Sequence, residues 1–201
     1  MAADDPRDDP RDDPRDNPHG GPHGGPHGGL RDTDAVRGLD LEAAHPDVLV
    51  LVGTQTGNSE LVADAVAETL GELGFAAHVL DMADAVPEML ADYRQLVAVT
   101  CTWSNGTFPD NAVAFAEALE ELGPPLAHVA YGVVGLGDRD YNPYFLTAAY
   151  RLDALLAACG AHRALPVCEI DGGPRPADFE AVRAWTVRLA AAFAARGAEA
   201  T

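Results

Sequence analysis

The stretch that most constrains the fold of this chain is a short apolar run followed by a hydroxyl-rich loop and an amphipathic segment. The run, residues 48–52 (Val-Leu-Val-Leu-Val), ends at a glycine and is typical of a buried β-strand. The loop, residues 54–59, reads Thr-Gln-Thr-Gly-Asn-Ser, and apolar residues then recur at helical spacing from Leu61 to Leu73. A helix start leaves backbone N–H groups free at the positive end of the dipole. The loop therefore suits a bound phosphate, and the simpler alternative is an ordinary strand–turn–helix connection with a helix cap.

Strand-like and helix-like segments alternate along the rest of the chain. Four further strands are predicted from apolar runs, at residues 76–80, 95–100, 129–134 and 163–170. Helices are predicted from apolar periodicity at residues 60–73, 111–122, 144–158 and 177–196. The pattern of residues 81–94 is less regular and predicts about three helical turns from Pro87. This alternation, with continuously apolar strands, predicts a doubly wound α/β fold that binds ligands at the carboxyl ends of its strands.

The N-terminal part of the chain has a different composition. Residues 4–15 are three copies of Asp-Asp-Pro-Arg, and residues 16–29 are rich in proline, glycine and histidine. Such a segment cannot bury apolar surface, so we expect residues 1–45 to be a disordered tail and residues 46–201 to be one folded domain. Three histidines in the tail, His19, His23 and His27, offer a candidate site for Ni²⁺, Cu²⁺ or Zn²⁺. The simpler interpretation is a solvated leader.

Acidic residues outnumber basic ones, and the formal net charge of the chain is −19. Residues 46–201 carry 21 acidic and 8 basic residues, a net charge of −13. This balance argues against nucleic acid or an anionic membrane as a partner and favours docking to a basic surface on another protein. Cysteines are sparse, and no apolar segment is long enough to span a membrane. We therefore expect a cytoplasmic protein.

Three polar loops follow three of the predicted strands. They comprise residues 54–59, 102–111 and 135–144, and the last two each carry an aromatic residue, Trp103 and Tyr141. A right-handed wound sheet brings these loops to one edge. Each aromatic residue alone is typical of ordinary surface packing. Beside a phosphate loop, the two together predict a site for a flat ring that carries a phosphate.

These loops resemble the motifs of a known family. Residues 54–59 resemble a phosphate loop of the form Ser/Thr-x-Thr-Gly-x-Ser/Thr. Residues 102–112 resemble Thr-aromatic-Gly-x-Gly followed by Pro-Asp-Asn-Ala, and residues 135–141 resemble Gly-Leu-Gly-Asp-x-x-Tyr. Over about residues 47–195, the chain is similar to the flavodoxin-like FMN-binding domains. These include the short-chain flavodoxins of the MioC type and the FMN module of diflavin reductases.

The resemblance implies a five-stranded parallel sheet of order 2-1-3-4-5 and a bound FMN. It places the FMN phosphate on the first loop and the flavin ring between Trp103, at its inner face, and Tyr141, at its outer face. The residues that match cofactor-binding positions are Thr54, Gln55, Thr56, Gly57, Asn58, Ser59, Thr102, Trp103, Ser104, Asn105, Gly106, Gly135, Leu136, Gly137, Asp138, Tyr141, Asn142 and Tyr144. Ser104 departs from the family pattern, which has a glycine directly after the aromatic residue, where positive φ is easily adopted.

The function implied is electron transfer. We expect a carrier that passes low-potential electrons from an NAD(P)H-linked reductase to an acceptor enzyme, each with a basic docking surface. Carboxylates expected near the ring, at Asp110, Asp138 and Asp140, disfavour added negative charge and so lower the potential. Cys101 is expected to be buried and unreactive. Two alternatives remain open: an FMN-dependent NAD(P)H or quinone oxidoreductase, and a flavin-free interaction module.

Overall fold

Residues 47–199 are described by the structure, which is a computed structural model. The predicted tail of residues 1–45, with its three histidines, lies outside this range. The strands are β1 (Val48–Gly53), β2 (Ala77–Asp81), β3 (Gln95–Cys101), β4 (Ala130–Gly137), β5 (His162–Arg163) and β6 (Cys168–Asp171). The helices are α1 (Asn58–Glu72), α2 (Asp110–Leu122), α3 (Thr147–Ala158) and α4 (Pro176–Glu199).

All strand pairings in the described sheet are parallel, in the order β2-β1-β3-β4-β5, with β6 also paired to β4. This order confirms the predicted doubly wound topology. The chain reverses its direction of winding between β1 and β3, the place at which such folds form a ligand crevice. The sheet thus brings the loops that follow β1, β3 and β4 to one edge.

Two apolar cores lie on opposite faces of the sheet, which explains why β1 is apolar at every position. Val48, Val50 and Val52 pack into the core formed with α1 and α4. Leu49 and Leu51 pack into the core formed with α2 and α3. Because successive side chains of a strand point to opposite faces, a sheet covered on both sides needs apolar residues throughout.

β4 extends three residues beyond its predicted end at Val134. Gly135 and Leu136 pair with the last residues of β3, and Gly137 pairs with Asp171 of β6. A Cβ atom on Gly135 would lie 2.6 Å from the Cβ of Ala149, so the glycine allows α3 to pack closely on this strand. The glycines predicted to begin the third loop therefore belong to the strand.

The predicted fifth strand, residues 163–170, is two short strands, β5 and β6, which pair with opposite ends of β4. Pro166 lies in the connecting segment, where its lack of an N–H group breaks the ladder. The indole N–H of Trp185 donates to the Pro166 carbonyl at 3.0 Å and fixes this segment on α4.

The sequence predicted about three turns of helix from Pro87, and this prediction was wrong about the kind of helix. Residues Met82–Asp84 and Pro87–Asp92 form two short 3₁₀-helices, and the carboxylate of Asp81 caps the first by accepting from the Ala83 amide at 2.7 Å. Proline opens the second, where its missing N–H costs nothing. Within residues 47–199, no helix combines the length with the apolar character that crossing a bilayer requires.

Candidate functional site

A cleft of about 480 Å³ opens at the carboxyl ends of β1, β3 and β4. This volume lies within the range of small-molecule sites in proteins, about 300–1,000 Å³. Its lining comes from the three predicted loops and from the Gly172–Gly173 turn that follows β6. The predicted convergence of the loops is therefore present in the structure.

The first loop leaves a helix start open to a ligand. Gly57, at φ 87°, precedes α1, and its amide donates to the Thr54 hydroxyl at 3.0 Å. Within the described chain no side chain caps α1. The Ser59 hydroxyl, in the first turn, is fully buried beside the Cys101 thiol and has no nitrogen or oxygen hydrogen-bond partner among these residues. The loop therefore leaves backbone N–H groups of the first turn open, with one buried hydroxyl beneath them that lacks a strong acceptor.

The first loop is held against the second by reciprocal hydrogen bonds. The Gln55 side chain donates to the Asp110 carboxylate at 3.0 Å and accepts from the Asp110 amide at 2.9 Å. The Asn111 side chain accepts from the Thr54 amide at 2.8 Å and donates to the Asp81 carboxylate at 3.0 Å. These contacts join the start of α2 to the first loop. Asp110 and Asn111 therefore hold the first loop in place, although neither residue lines the cleft.

The second loop is a tight turn closed on itself. Trp103 and Thr107 exchange backbone hydrogen bonds of 2.9 Å in both directions, and the Thr107 hydroxyl donates to the Trp103 carbonyl at 3.0 Å. Ser104 has φ 46° and Gly106 has φ 87°. A Cβ atom on Gly106 would lie 3.0 Å from the Tyr144 ring, so glycine is needed there for space as well as for φ. The turn holds the Trp103 side chain at the cleft, 44% exposed.

The third loop is fixed by Arg139. The Arg139 amide donates to the Asp171 carboxylate at 3.0 Å, and its guanidinium pairs with Glu169 at 2.9 Å and with Asp171 at 3.3 Å. The guanidinium also lies 4.1 Å from the centre of the Phe145 ring. These contacts tie the loop to β6. Tyr141, two residues further on, lines the cleft with 67% of its surface exposed.

Most of the predicted cofactor residues line this cleft. Those that do are Gln55, Thr56, Asn58, Thr102, Trp103, Ser104, Leu136, Gly137, Asp138, Tyr141 and Tyr144. Those that do not are Thr54, Gly57, Ser59, Asn105, Gly106, Gly135 and Asn142. Several residues of the second group belong to the same loops without lining the cleft, whereas Gly135 lies within β4 and packs against α3.

Sequence reasoning missed three lining residues, Cys101, Gly172 and Gly173. The paired glycines had a usable signal, because they follow the carboxyl end of the last strand. Burial raises the pKa of the Cys101 thiol above its ordinary value, opposed more weakly by the Gln55 backbone and the Ser59 hydroxyl. The thiol is therefore protonated near neutral pH, and a protonated thiol is a poor nucleophile.

Comparisons with known proteins show which family the chain is similar to. The family model for flavodoxin matches residues 50–185. Flavodoxin YqcA of Pectobacterium carotovorum subsp. carotovorum is 36% identical over 129 residues, which cover 63% of this chain and 83% of that protein. The NADPH sulfite reductase flavoprotein alpha-component of Thiocapsa roseopersicina is 34% identical over 127 residues, 62% of this chain and 24% of that protein. The chain thus spans about a quarter of the length of this reductase relative.

Solved structures show the same fold over nearly their whole length. The Streptococcus pneumonia TIGR4 flavodoxin matches with a TM-score of 0.66 and 28% identity, covering 72% of this chain and 97% of that one. Flavodoxin 2 from Bacillus cereus matches with a TM-score of 0.68 and 25% identity, covering 72% and 98%. With a family match over more than half its length, the chain belongs to the flavodoxin family of FMN-binding electron carriers.

Proposed function

We propose that this domain holds FMN in the cleft at the carboxyl ends of β1, β3 and β4 and passes electrons from an NAD(P)H-linked reductase to an acceptor enzyme. The observation that carries the proposal is the convergence of an uncapped helix start and two exposed aromatic side chains on one cleft. When bound, FMN supplies the electron-transfer chemistry, and the protein determines where the ring lies and which charges surround it.

The first loop fits the phosphate of FMN. The buried Ser59 hydroxyl has only the weakly polar Cys101 thiol beside it and no nitrogen or oxygen partner in the described chain, and a buried polar group left unsatisfied costs about 1–3 kcal/mol. A phosphate at the start of α1 gives that hydroxyl an acceptor and receives the open N–H groups of the first turn. A Cβ atom on Gly57 would meet no neighbouring atom within 4 Å, so glycine is needed there for its φ of 87° and not for space. Loop 54–59 contributes no cation, and neutral dipoles hold the charge there.

The second and third loops fit the flavin ring. Trp103 and Tyr141 both line the cleft and remain 44% and 67% exposed, so each has an aromatic face available for stacking. A stacked aromatic pair contributes about 0.5–1.5 kcal/mol beyond the burial of area. The bridge between Trp103 and Thr107 closes the second loop on itself, and the Arg139 contacts tie the third loop to β6. Both loops are thus held in place before a flat guest binds.

The charge around the cleft favours a low reduction potential. Asp138 lines the cleft, and the charge of Arg139 is already paired with Glu169 and Asp171. Asp110 is bonded to Gln55 beside the first loop. Negative charge added to the ring therefore meets carboxylates and no unpaired guanidinium in the described loops, and like charges repel more strongly at the low dielectric of a protein surface than in water.

The relatives support the proposed electron source and partners. One group is named as the flavoprotein component of an NADPH-dependent sulfite reductase, which points to a donor linked to a nicotinamide nucleotide. The net charge of −13 on residues 46–201 suits docking to basic surfaces on both donor and acceptor. The three free cysteines suit a reducing compartment such as the cytoplasm.

An anaerobic reduction assay tests the proposal. The FMN-loaded protein is mixed with NADPH alone, and separately with NADPH and a catalytic amount of an NADPH-linked flavodoxin reductase, while absorbance near the flavin band is followed. We expect rapid bleaching only when the reductase is present. Rapid bleaching by NADPH alone would instead support the alternative of an FMN-dependent NAD(P)H oxidoreductase.

A further inference from the structure

A second cleft, of about 330 Å³, lies at the opposite end of the sheet. It opens at the amino ends of β3 and β4, beneath the last turns of α4, and its lining includes Arg94, Gln95, His128, Phe193 and Arg196. β3 runs from this cleft, at Gln95, to the FMN cleft, at Cys101. Seven extended residues span about 20 Å, so the two clefts are separate sites joined by one strand.

The second cleft contains two arginines that have no carboxylate partner among the side chains of residues 47–198. Residues 46–201 contain eight arginines, of which five pair with carboxylates: Arg139, Arg151, Arg163, Arg175 and Arg183. The other three, Arg94, Arg188 and Arg196, form no ion pair with the described side chains, those of residues 47–198, and Arg94 and Arg196 line this cleft. No carboxylate of the described residues lines it. In a domain with 21 acidic residues, this concentration of unpaired positive charge marks an anion site.

A polar side chain in the lining lacks a partner as well. The Oε1 atom of Gln95 is buried and has no hydrogen-bond partner in the described part of the chain. A half-turn of the terminal amide exchanges the positions of the oxygen and the NH₂ group. After this rotation, the same side chain can present its NH₂ group to an anion. Arg196 donates to the Ala127 carbonyl at 3.2 Å, and the His128 ring contacts the Ala91 carbonyl at 2.9 Å. These backbone contacts hold both side chains in place and leave most guanidinium N–H groups of Arg196 available.

We propose that this cleft, called the basic cleft from here on, binds a small organic phosphate monoester. Guanidinium groups match phosphate oxygens in two-point hydrogen bonds, and two arginines balance a charge near −2. The cleft has the volume of about eleven water molecules, more than the five heavy atoms of a phosphate group require. Ala130 and Phe193 supply an apolar wall for the organic part of the ester.

Calorimetric titration with phenyl phosphate tests this inference. The full-length protein is used with FMN bound, so that the first loop is already occupied, and potassium chloride at matched ionic strength serves as the blank. We expect saturable binding to the FMN-loaded protein. Arg94→Gln and Arg196→Gln should each weaken it about tenfold or more, because each removes a charge-assisted pair. Arg188→Gln, the same charge change on an unpaired arginine outside the cleft, should leave the affinity within about twofold.

Amide chemical shifts locate the ligand and check that the variants fold. Phenyl phosphate should shift the amides of Gln95, Ala130 and Phe193 and leave residues 54–59 unmoved. The proposal is overturned if the FMN-loaded wild type shows no saturable heat, if Arg188→Gln weakens binding as much as the two cleft variants, or if the shifts fall at the FMN cleft. The first result would leave the proposed electron-transfer function unaffected, because that function depends on the other cleft.

Discussion

At the scale of single residues, Ser104 combines a sequence departure with an unusual backbone. It stands where the family pattern has glycine, and it adopts φ 46° in the turn between Trp103 and Thr107. A side chain in this left-handed region costs about 1–2 kcal/mol relative to glycine. Two backbone hydrogen bonds close the turn, and the Thr107 hydroxyl adds a third. Together they compensate for this local strain.

Replacement of this residue measures the strain directly. Ser104→Gly should raise the free energy of unfolding of the apoprotein in urea by up to about 1 kcal/mol, the relief of strain less the added entropy of the unfolded chain. Ser104→Ala keeps the Cβ atom and removes only an exposed hydroxyl, so its stability should stay close to that of the wild type. Equal stabilisation by both variants would show that the hydroxyl, and not the backbone, is unfavourable.

The residues that the sequence predicted least well are those whose partners are distant in the chain. Gln55 and Asp110 are 55 residues apart, and Asn111 reaches back 57 residues to the Thr54 amide. Local spacing predicts which loops bear polar groups, because it follows from strand and helix periodicity. Local spacing does not predict which groups of the two loops form hydrogen bonds with each other, since that depends on how α2 packs beside β1.

At the scale of elements, a cluster of two buried residues and one exposed arginine ties α3 to two strands. The Tyr131 hydroxyl, on β4, donates to the carbonyl and to the carboxylate of Asp153 on α3, both at 2.9 Å. Arg163, on β5, forms a two-point ion pair with the same carboxylate. Burial, followed by the Asp153 hydrogen bond, raises the pKa of Tyr131 to about 12. The cluster therefore holds β5 in place, although this strand has only two residues.

This shift predicts how stability changes in alkali. The ordinary pKa of tyrosine is 10.0, so the stability that comes from the shift is complete below pH 10 and is lost as pH rises towards 12. In Tyr131→Phe, the free energy of unfolding should fall by about 1–2 kcal/mol at pH 7, because the hydrogen bonds are lost. The difference between wild type and variant should narrow between pH 10 and pH 12. A constant difference across that range would contradict the assignment.

The boundaries of the strands show which parts of the sheet the sequence alone could predict. Continuous apolar runs predicted the sheet, because strands covered on both faces have little freedom in composition. The extension of β4 through Gly137 was missed, since glycine is typical of loops and only the approach of Ala149 explains it here. The division of the last strand was also missed, because Pro166 fits either a sheet edge or a break. Packing against neighbouring elements decides both cases.

At the scale of the whole molecule, charge is distributed unevenly over the described domain. Residues 46–201 carry a net charge of −13, and the FMN cleft has carboxylates in and beside its loops. The basic cleft lies at the other end of the sheet and contains two of the three arginines that form no ion pair with the side chains of residues 47–198. If the proposed donor and acceptor carry basic surfaces, we expect this charge distribution to steer them towards the end of the sheet with the first cleft. The separate tail of residues 1–45 stays a prediction.

The central claim is that the first loop holds FMN through its phosphate with neutral groups. Titration of the apoprotein with FMN and with riboflavin, followed by quenching of flavin fluorescence, tests it most directly. We predict that FMN binds at least about 100-fold more tightly, because two or more charge-assisted hydrogen bonds contribute about 1.5–3 kcal/mol each. Ser59→Ala, which removes the unpartnered buried hydroxyl, should weaken FMN about tenfold and leave riboflavin unchanged. Equal affinities of the wild type for FMN and riboflavin would contradict the claim.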